Sequence, residues 1–185
     1  MTRWLMPAML ILAIFAIANS LILAARNDHQ ASLWLIPKVQ AQTGRVSSLP
    51  IPRFVSLRTD PVNLRTGPGL RYPISWRYQR RYLPVEVEDE FNTWRRIRDV
   101  DGAEGWVHQS MLSGQRTGLV IAQSSPLYKG SIPSSAIIAQ VSSGVVITID
   151  RCPEQIEFCL VQADSFRGWL RREVFWGLYD GEVID

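Results

Sequence analysis

The sequence predicts an all-β fold built as two small β-barrels in tandem, preceded by a hydrophobic N-terminal helix. Three observations support this prediction. After residue 50 the apolar residues occur in short runs separated by glycine, proline and aspartate, which is typical of strands and tight turns. No amphipathic helical period longer than a turn or two occurs there. A set of residues also recurs at an interval of 63 or 64, which indicates two copies of one unit.

The N-terminus contains an uncharged apolar stretch from Leu5 to Ala25, which follows Arg3. About 20 apolar residues are enough to span a bilayer, so residues 1–25 are either a retained membrane anchor or a cleaved signal peptide. Both alternatives place the body of the chain outside the cytoplasm, in the periplasm or cell envelope. If residues 1–25 are not cleaved, they would associate the protein with the inner membrane. A buried helix is disfavoured because the stretch has no polar face.

Residues 26–53 have the composition of an exposed linker. The part from Gln42 to Phe54 contains two serines and two prolines without an apolar period. Folded sequence is therefore expected to begin near Phe54, with a first unit over residues 54–115 and a second over residues 116–185.

The internal repeat is defined by pairs of equivalent residues, and its one-residue slip falls in loops, where length changes are tolerated. Because the Gly-Trp pair recurs in both units, its tryptophans, Trp106 and Trp169, are expected to lie in the hydrophobic cores. The matching positions are Leu64 and Leu127, Gly67 and Gly130, Ile74 and Ile137, Trp94 and Phe158, Ile97 and Val161, Gly105-Trp106 and Gly168-Trp169, Leu112 and Phe175, and Gly114 and Gly177.

The motifs of the first unit point to a known family. They are Asn63-Leu64-Arg65-Thr66-Gly67-Pro68-Gly69, Trp94-Arg95-Arg96-Ile97, Gly105-Trp106-Val107 and Leu112-Ser113-Gly114. With these motifs, residues 54–180 resemble a tandem pair of bacterial SH3-like (SH3b) domains. The resemblance is close in the first copy and degenerate in the second, where Leu127-Tyr128-Lys129-Gly130 replaces the Leu-Arg-Thr-Gly run. It implies two SH3-like β-barrels and a ligand such as a cell-wall peptide, a glycan or an envelope protein.

The stretch NLRTGPG, residues 63–69, resembles a phosphate-binding loop in its glycines, arginine and threonine. Such a loop needs G-x-x-x-x-G-K-[ST] before a helix, so that backbone N–H groups face the anion. Here Pro68 lacks an N–H group, and Tyr72-Pro73 disfavours an immediate helix. The stretch is therefore predicted to be a turn that opens a long excursion between strands.

That excursion, from Leu70 to Tyr82, interleaves arginines with tyrosine and tryptophan. Aromatic faces and guanidinium groups suit flat polar ligands such as glycans or peptides, and these residue types often anchor interfaces. The alternative is that the aromatic rings complete a small core while the arginines lie over them. The residues predicted to bind a ligand are Arg65, Arg71, Tyr72, Trp76, Arg77 and Tyr78.

The two cysteines, Cys152 and Cys159, are separated by six residues across a predicted hairpin connection. Outside the cytoplasm such a pair can form a disulfide, which would contribute about 2 kcal/mol for so short a loop. Two free buried thiols are the main alternative. A metal site would need further ligands, and a redox motif would need C-x-x-C.

Neither nucleic-acid binding nor catalysis is expected. Residues 53–115 carry ten arginines against eight carboxylates and residues 116–185 are net negative, so no strongly basic domain exists. His108 lacks a cysteine partner nearby and no G-x-S-x-G motif occurs. The carboxylates from Glu86 to Glu90 alternate with apolar residues and are predicted to form the solvated face of a strand. No catalytic residue, metal site or cofactor is predicted.

The sequence therefore predicts a non-catalytic binding or adaptor protein of the cell envelope. Its contact surface is expected on the loop from Arg65 to Tyr82, and the second unit is expected to pack against the first or to serve a partner. A purely structural scaffold of an envelope complex and an unrecognised cell-wall hydrolase are the alternatives.

Overall fold

The computed structural model describes residues 42–185, and the structural statements below concern this range. The predicted anchor or signal peptide, residues 1–25, lies outside the described residues, as does the first part of the predicted linker. Among the described residues, no helix has the length and apolar character needed to cross a membrane.

Strands form almost all of the regular structure, as the all-β prediction requires, and two one-turn 3₁₀ helices lie at Gln109–Met111 and Arg172–Val174. The strands are β1 Gln42–Thr43, β2 Pro50–Ile51, β3 Arg53–Leu57, β4 Val62–Arg65, β5 Ile74–Tyr78, β6 Pro84–Phe91, β7 Trp94–Arg98, β8 Glu104–His108, β9 Leu112–Ser113, β10 Thr117–Val120, β11 Ser124–Tyr128, β12 Ile137–Ser142, β13 Val146–Arg151, β14 Phe158–Ala163, β15 Phe166–Arg171 and β16 Phe175–Trp176.

Fourteen of these strands form two seven-stranded antiparallel sheets with the same strand order. The first sheet runs β5-β4-β8-β7-β6-β3-β9 and the second runs β12-β11-β15-β14-β13-β10-β16. The second order is the first with seven added to every strand number, which matches the duplication inferred from the sequence. Within residues 42–185 no pairing closes either sheet into the predicted barrel. The terminal strands β9 and β16 have only two residues each, which leaves little backbone for closure.

The two sheets also share their irregularities. Strand β4 shifts register against β5 between Leu64 and Arg65, and β11 shifts against β12 between Leu127 and Tyr128. These positions are 63 residues apart in the sequence. A bulge bends its strand and tightens the local twist, so both sheets bend at the same point.

The repeated glycine of each Gly-Trp pair is explained by a close backbone approach. A Cβ atom on Gly105 would lie 2.7 Å from the carbonyl oxygen of Arg65, and one on Gly168 would lie 2.7 Å from that of Tyr128. Contacts this short exclude any side chain unless the strands move apart. The glycine therefore allows β8 to pack beside β4, and β15 beside β11.

The tryptophans of these pairs do not lie in the cores, contrary to the expectation from the repeat. Each sheet has its own cluster of buried apolar residues, and Trp106 and Trp169 are in neither. Successive side chains of a strand point to opposite faces. Because Gly105 and Val107 are buried, Trp106 between them faces outward and is half-buried.

Residues 42–51, predicted as part of a linker, form a β-hairpin. Strands β1 and β2 pair antiparallel, and Gly44 N–H donates to the Leu49 carbonyl at 2.8 Å. Ile51 is 9% exposed and belongs to the first core. The prolines and serines of this stretch therefore shape an ordered hairpin, and the described fold begins earlier than Phe54.

A buried carboxylate fastens this hairpin to the first sheet. The side chain of Glu90 is fully buried. It accepts hydrogen bonds from the backbone N–H groups of Val46 and Ser47 at 3.1 and 2.8 Å, and from Ser47 Oγ at 2.6 Å. Arg53 and Arg95 form ion pairs with it at 2.8 and 3.3 Å. Burial acts to raise the pKa of Glu90, but the hydrogen bonds from Ser47, Arg53 and Val46 outweigh burial and lower that pKa to about 2.

The prediction that the acidic residues of β6 form a solvated face is wrong for Glu86 and Glu90. They are 4% and 5% exposed, whereas Phe91 is 53% exposed. The register shift between Val87 and Asp89 breaks the strict alternation on which that prediction depended. Partners distant in sequence then cover both carboxylates.

The sheets contact each other through aromatic and polar side chains. The ring of Phe54 lies 4.8 Å from that of Trp176 and 4.7 Å from that of Tyr179, measured between centroids. The hydroxyl of Tyr179 donates to Glu86 Oε1 at 2.7 Å. Burial, and then this hydrogen bond to the carboxylate, raise the pKa of the Tyr179 phenol above its ordinary range. The second sheet thus packs against the first.

Cys152 and Cys159 form the predicted disulfide, and both are fully buried. The backbone of Cys152 exchanges two hydrogen bonds with Ile184, near the C-terminus, at 2.7 and 3.0 Å. Arg172 donates to the carbonyls of Pro153, Ile156 and Glu182 at 2.6, 2.9 and 2.6 Å. The backbone bridge from Cys152 to Ile184 and the side chain of Arg172 therefore hold the disulfide loop and the C-terminal tail together.

Candidate ligand-binding surface

The connection between β4 and β5 is a loop closed on its own backbone. Thr66 N–H donates to the Pro73 carbonyl at 3.0 Å. The guanidinium of Arg65 donates to the carbonyls of Leu70 and Tyr72 at 3.2 and 2.8 Å. Arg65, predicted to contact a ligand, is half-buried and maintains the shape of this loop.

Gly67, in the NLRTGPG stretch, packs directly against an aromatic ring. A Cβ atom on Gly67 would lie 2.4 Å from the ring of Tyr72, so any other residue would displace that ring. Tyr72 N–H in turn donates to the Gly69 carbonyl at 3.2 Å. The stretch is a turn, as predicted, and it holds Tyr72 half-buried at the start of the excursion.

Three of the predicted binding residues are exposed around β5, which pairs only with β4 among the described strands. Trp76 is 59% exposed. The guanidinium of exposed Arg71 lies over the ring of Tyr72, 5.1 Å from its centroid. Arg77 is exposed, and its Nε donates to Asn63 Oδ1 at 3.1 Å. The structure thus presents an indole and two guanidinium groups to solvent along one edge of the first sheet.

Tyr78, also predicted to bind a ligand, does not belong to this exposed set. It is 5% exposed and packs in the first core. Its hydroxyl donates to Asp99 Oδ2 at 2.8 Å, and burial, followed by this hydrogen bond, raises the pKa of the phenol above its ordinary range. Tyr78 follows Trp76 by two residues and lines the same cavity, but it is buried where its hydroxyl reaches Asp99.

A cavity of about 340 Å³ opens beside Trp76. Its wall includes Leu119 of β10, so the cavity lies where the second sheet meets the first. The sequence did not indicate the acidic wall, because Asp99 and Asp101 stand in the turn between β7 and β8 and resemble ordinary turn residues. The lining residues used below are Trp76, Tyr78, Leu83, Asp99, Asp101 and Leu119.

The corresponding loop of the second sheet presents a different surface. Lys129 is its single basic residue, whereas three isoleucines, Ile132, Ile137 and Ile138, are 58%, 56% and 38% exposed. The arginines and the tryptophan of the first loop have no counterpart there. The two sheets therefore share a fold but expose different side chains at this loop.

His108 and the acidic side chains were the groups considered for catalysis or metal binding, and the described residues define their surroundings. His108 Nδ1 lies 2.7 Å from Ser110 Oγ and accepts from Ser110 N–H, so it caps the 3₁₀ helix Gln109–Met111. Among residues 42–185, no group of three or more histidine, cysteine, aspartate or glutamate side chains is arranged to hold a metal ion.

Comparison with known families finds a match within the first sheet. Residues 58–114 match the family model described as a bacterial SH3 domain. The matched range contains β4 to β9 and therefore the whole loop from Arg65 to Tyr82. The resemblance inferred from the motifs of the first unit is confirmed for this range. What the comparison shows is thus a similarity of residues 58–114 to bacterial SH3 domains.

No curated protein matches the chain. Among solved structures, NlpC2 from Trichomonas vaginalis is 13% identical with a TM-score of 0.32, and the match covers 72% of this chain and 50% of that chain. NlpC1 from Trichomonas vaginalis is 13% identical with a TM-score of 0.31, covering 72% of this chain and 49% of that chain. The chain spans about half the length of each of these proteins.

Proposed function

We propose that the chain is a non-catalytic binding module of the cell envelope. It carries two SH3-like domains in tandem and uses the first to bind a cell-wall peptide or glycan, or an envelope protein. The bacterial SH3 match over residues 58–114 supports the first domain. The identical strand order and the repeated Gly-Trp pair support the second.

The exposure of Trp76 is the observation that carries this proposal. An indole that is 59% exposed on an edge strand leaves a large apolar surface in water. Tryptophan and arginine are the residues most enriched at binding hot spots. Arg71 and Arg77 lie within five residues of Trp76, and both are exposed. Such a surface suits sugar rings, which pack on aromatic faces, and peptide carbonyls, which accept from guanidinium groups.

An extracytoplasmic location accompanies this function. Disulfides persist in oxidising compartments such as the periplasm and are rare in the cytosol. The Cys152–Cys159 disulfide therefore supports an exported protein, with residues 1–25 as its signal peptide or anchor. Intact-mass measurement of protein recovered from the periplasm, before and after reduction, should show the gain of two hydrogens.

Retention on purified cell wall tests the function. The variant Trp76→Ala/Arg77→Ala should reduce retention at least tenfold, because it removes the exposed indole and an adjacent guanidinium. Phe166→Ala/Arg167→Ala is the matched control, since Phe166 is 50% exposed and also precedes an arginine, but lies in the second sheet. The control should be retained like the unaltered chain. Failure of the unaltered chain to bind cell wall, with a membrane protein co-purifying instead, would favour the scaffold alternative.

Zymography separates binding from hydrolysis. A gel cast with cell-wall material should show no clearing at the position of this chain, because the proposal assigns it no catalytic group. Clearing by the unaltered chain, if lost with a single substitution at His108, would establish a hydrolase and contradict the non-catalytic proposal.

A further inference from the structure

The cavity beside Trp76 contains a carboxylate without a cationic partner. Asp99 is 5% exposed and accepts hydrogen bonds from the Tyr78 hydroxyl at 2.8 Å and from the N–H groups of Asp101 and Ala103 at 3.1 and 2.8 Å. Within residues 42–185, neither Asp99 nor Asp101 forms an ion pair. Buried charges are normally compensated by an opposite charge or by hydrogen bonds. Among the described residues hydrogen bonds alone compensate Asp99, so this wall of the cavity carries net negative charge.

The other walls are suited to an alkyl chain that ends in a cation. Leu83 and Leu119 supply apolar surface, and the exposed indole of Trp76 forms one side. Tryptophan has the most favourable aromatic face for a cation. A volume of about 340 Å³ exceeds that of a four-carbon chain with an ammonium group. Arg77, the residue after Trp76, does not line the cavity, and its guanidinium is hydrogen-bonded to Asn63 on the partner strand.

The second sheet shows that the fold does not need these polar and aromatic residues. The strand pairing equates Trp76 with Ala139, because each lies opposite an equivalent leucine, Leu64 or Leu127. By the same pairing Tyr78 corresponds to Val141. Ala163, the last residue of β14, stands at the position of Asp99. An equivalent sheet is thus built with small or apolar residues at these three positions. In the first sheet Asp99 also accepts hydrogen bonds that stabilise the turn between β7 and β8, whereas packing in the first core does not explain the exposed indole of Trp76.

We propose that this cavity binds an aliphatic primary ammonium group, such as the side chain of a lysine-type diamino acid in a peptide. The ammonium lies against Asp99 and Asp101, its methylene chain contacts Leu83 and Leu119, and the Trp76 indole covers it. This inference rests on the proposed binding function and specifies the peptide residue that the first domain recognises.

Titration of the full-length chain with Nα-acetyl-lysine amide tests the inference. The indole N–H signal of Trp76, assigned by its loss in Trp76→Phe, is followed by NMR. Nα-acetyl-norleucine amide, which keeps the four-carbon chain without the ammonium, is the uncharged probe. The lysine probe should shift the signal in a saturable manner, more weakly at high salt, and the norleucine probe should bind at least tenfold more weakly.

Two matched variants locate the charge. Asp101→Asn should weaken binding of the lysine probe about tenfold, and it is expected to fold because the Asp101 side chain is exposed. Asp164→Asn, in the turn between β14 and β15, is the control and should bind like the unaltered chain. Equal binding of the two probes, or an unchanged dissociation constant for Asp101→Asn, would overturn the inference.

The retention assay on cell wall keeps the two proposals separate. If the unaltered chain is retained but the lysine probe does not bind, the binding function stands and the ammonium site is wrong. If the lysine probe binds with the expected dependence on Asp101 but the unaltered chain is not retained on cell wall, the ammonium site stands and the cell-wall function is wrong.

Discussion

At the scale of single residues, Glu90 shows how burial and hydrogen bonding decide the charge of one group. Desolvation alone would favour the neutral acid. Two backbone N–H groups, one hydroxyl and two arginines surround the carboxylate and favour its charged form instead. A glutamate predicted to face solvent is therefore an internal anion that orders the residues before β3.

The low pKa of Glu90 makes stability depend on pH in a defined window. The unfolded chain takes up this proton near pH 4.5 and the folded chain near pH 2, so acidification through this range favours unfolding. The contribution, about 3 kcal/mol, is fully present above pH 4.5 and is lost as the pH falls towards 2. Urea unfolding across this range should give a steeper decline for the unaltered chain than for Glu90→Gln.

Glu157→Gln is the control for this experiment, because the Glu157 side chain is 78% exposed. It should keep the pH dependence of the unaltered chain. A Glu90→Gln variant whose stability declines with acid as steeply as that of the unaltered chain would contradict the assignment.

At the scale of elements, the C-terminal tail is held by side chains rather than by sheet pairing. Residues after β16 make only an isolated bridge, between Ile184 and Cys152. Arg172 contacts three carbonyls on the tail and the disulfide loop, and Arg116 pairs with Glu182 at 2.5 Å. The tail therefore depends on two arginines and on the loop that the disulfide closes.

Arg172→Ala should lower the free energy of unfolding by about 3 kcal/mol, because it removes charge-assisted hydrogen bonds to half-buried carbonyls. Arg167→Ala is the matched control. Its side chain is 63% exposed and forms a surface ion pair with Asp150, so its loss should cost less than about 1 kcal/mol. Chemical denaturation measures both values, and equal losses would show that Arg172 does not hold the tail.

The sequence predicted which elements form this fold more accurately than it predicted which side of each strand is buried. The interval of 63 residues equated Ile74 with Ile137, and the strand pairing does the same. The repeat failed to predict that Trp106 faces outward, because repetition does not reveal which face of a strand a residue occupies. The repeat did not reveal that Tyr78 is buried, because Asp99, which accepts from its hydroxyl, is 21 residues away in the sequence. Asp99 and Asp101 were missed because a cavity wall built from two sheets leaves no local pattern.

At the scale of the whole molecule, two separate cores are joined by a small contact. Phe54 packs on two aromatic rings of the second sheet, and Thr117 Oγ1 donates to the Tyr82 carbonyl at 2.8 Å. Glu86 receives the Tyr179 hydroxyl from the second sheet and pairs with Arg98 of the first. This carboxylate is thus a charged link between the two sheets, beside the hydrogen bond from Thr117.

Tyr179→Phe should lower the free energy of unfolding by about 1 to 2 kcal/mol, since it leaves the buried Glu86 carboxylate without one of its donors. Tyr128→Phe is the control, because Tyr128 is half-buried and its hydroxyl makes no hydrogen bond within residues 42–185. It should change stability by less than about 0.5 kcal/mol. Equal effects would mean that the link through Glu86 does not stabilise the contact.

The hairpin that Glu90 fastens also has a mechanical consequence. A tension applied at Gln42 would open the short β1–β2 pair residue by residue, which offers little resistance. The load would then reach the carboxylate of Glu90, where the hydrogen bonds from Val46 N–H, Ser47 N–H and Ser47 Oγ must break together. The first sheet would therefore yield at this point before its core strands shear.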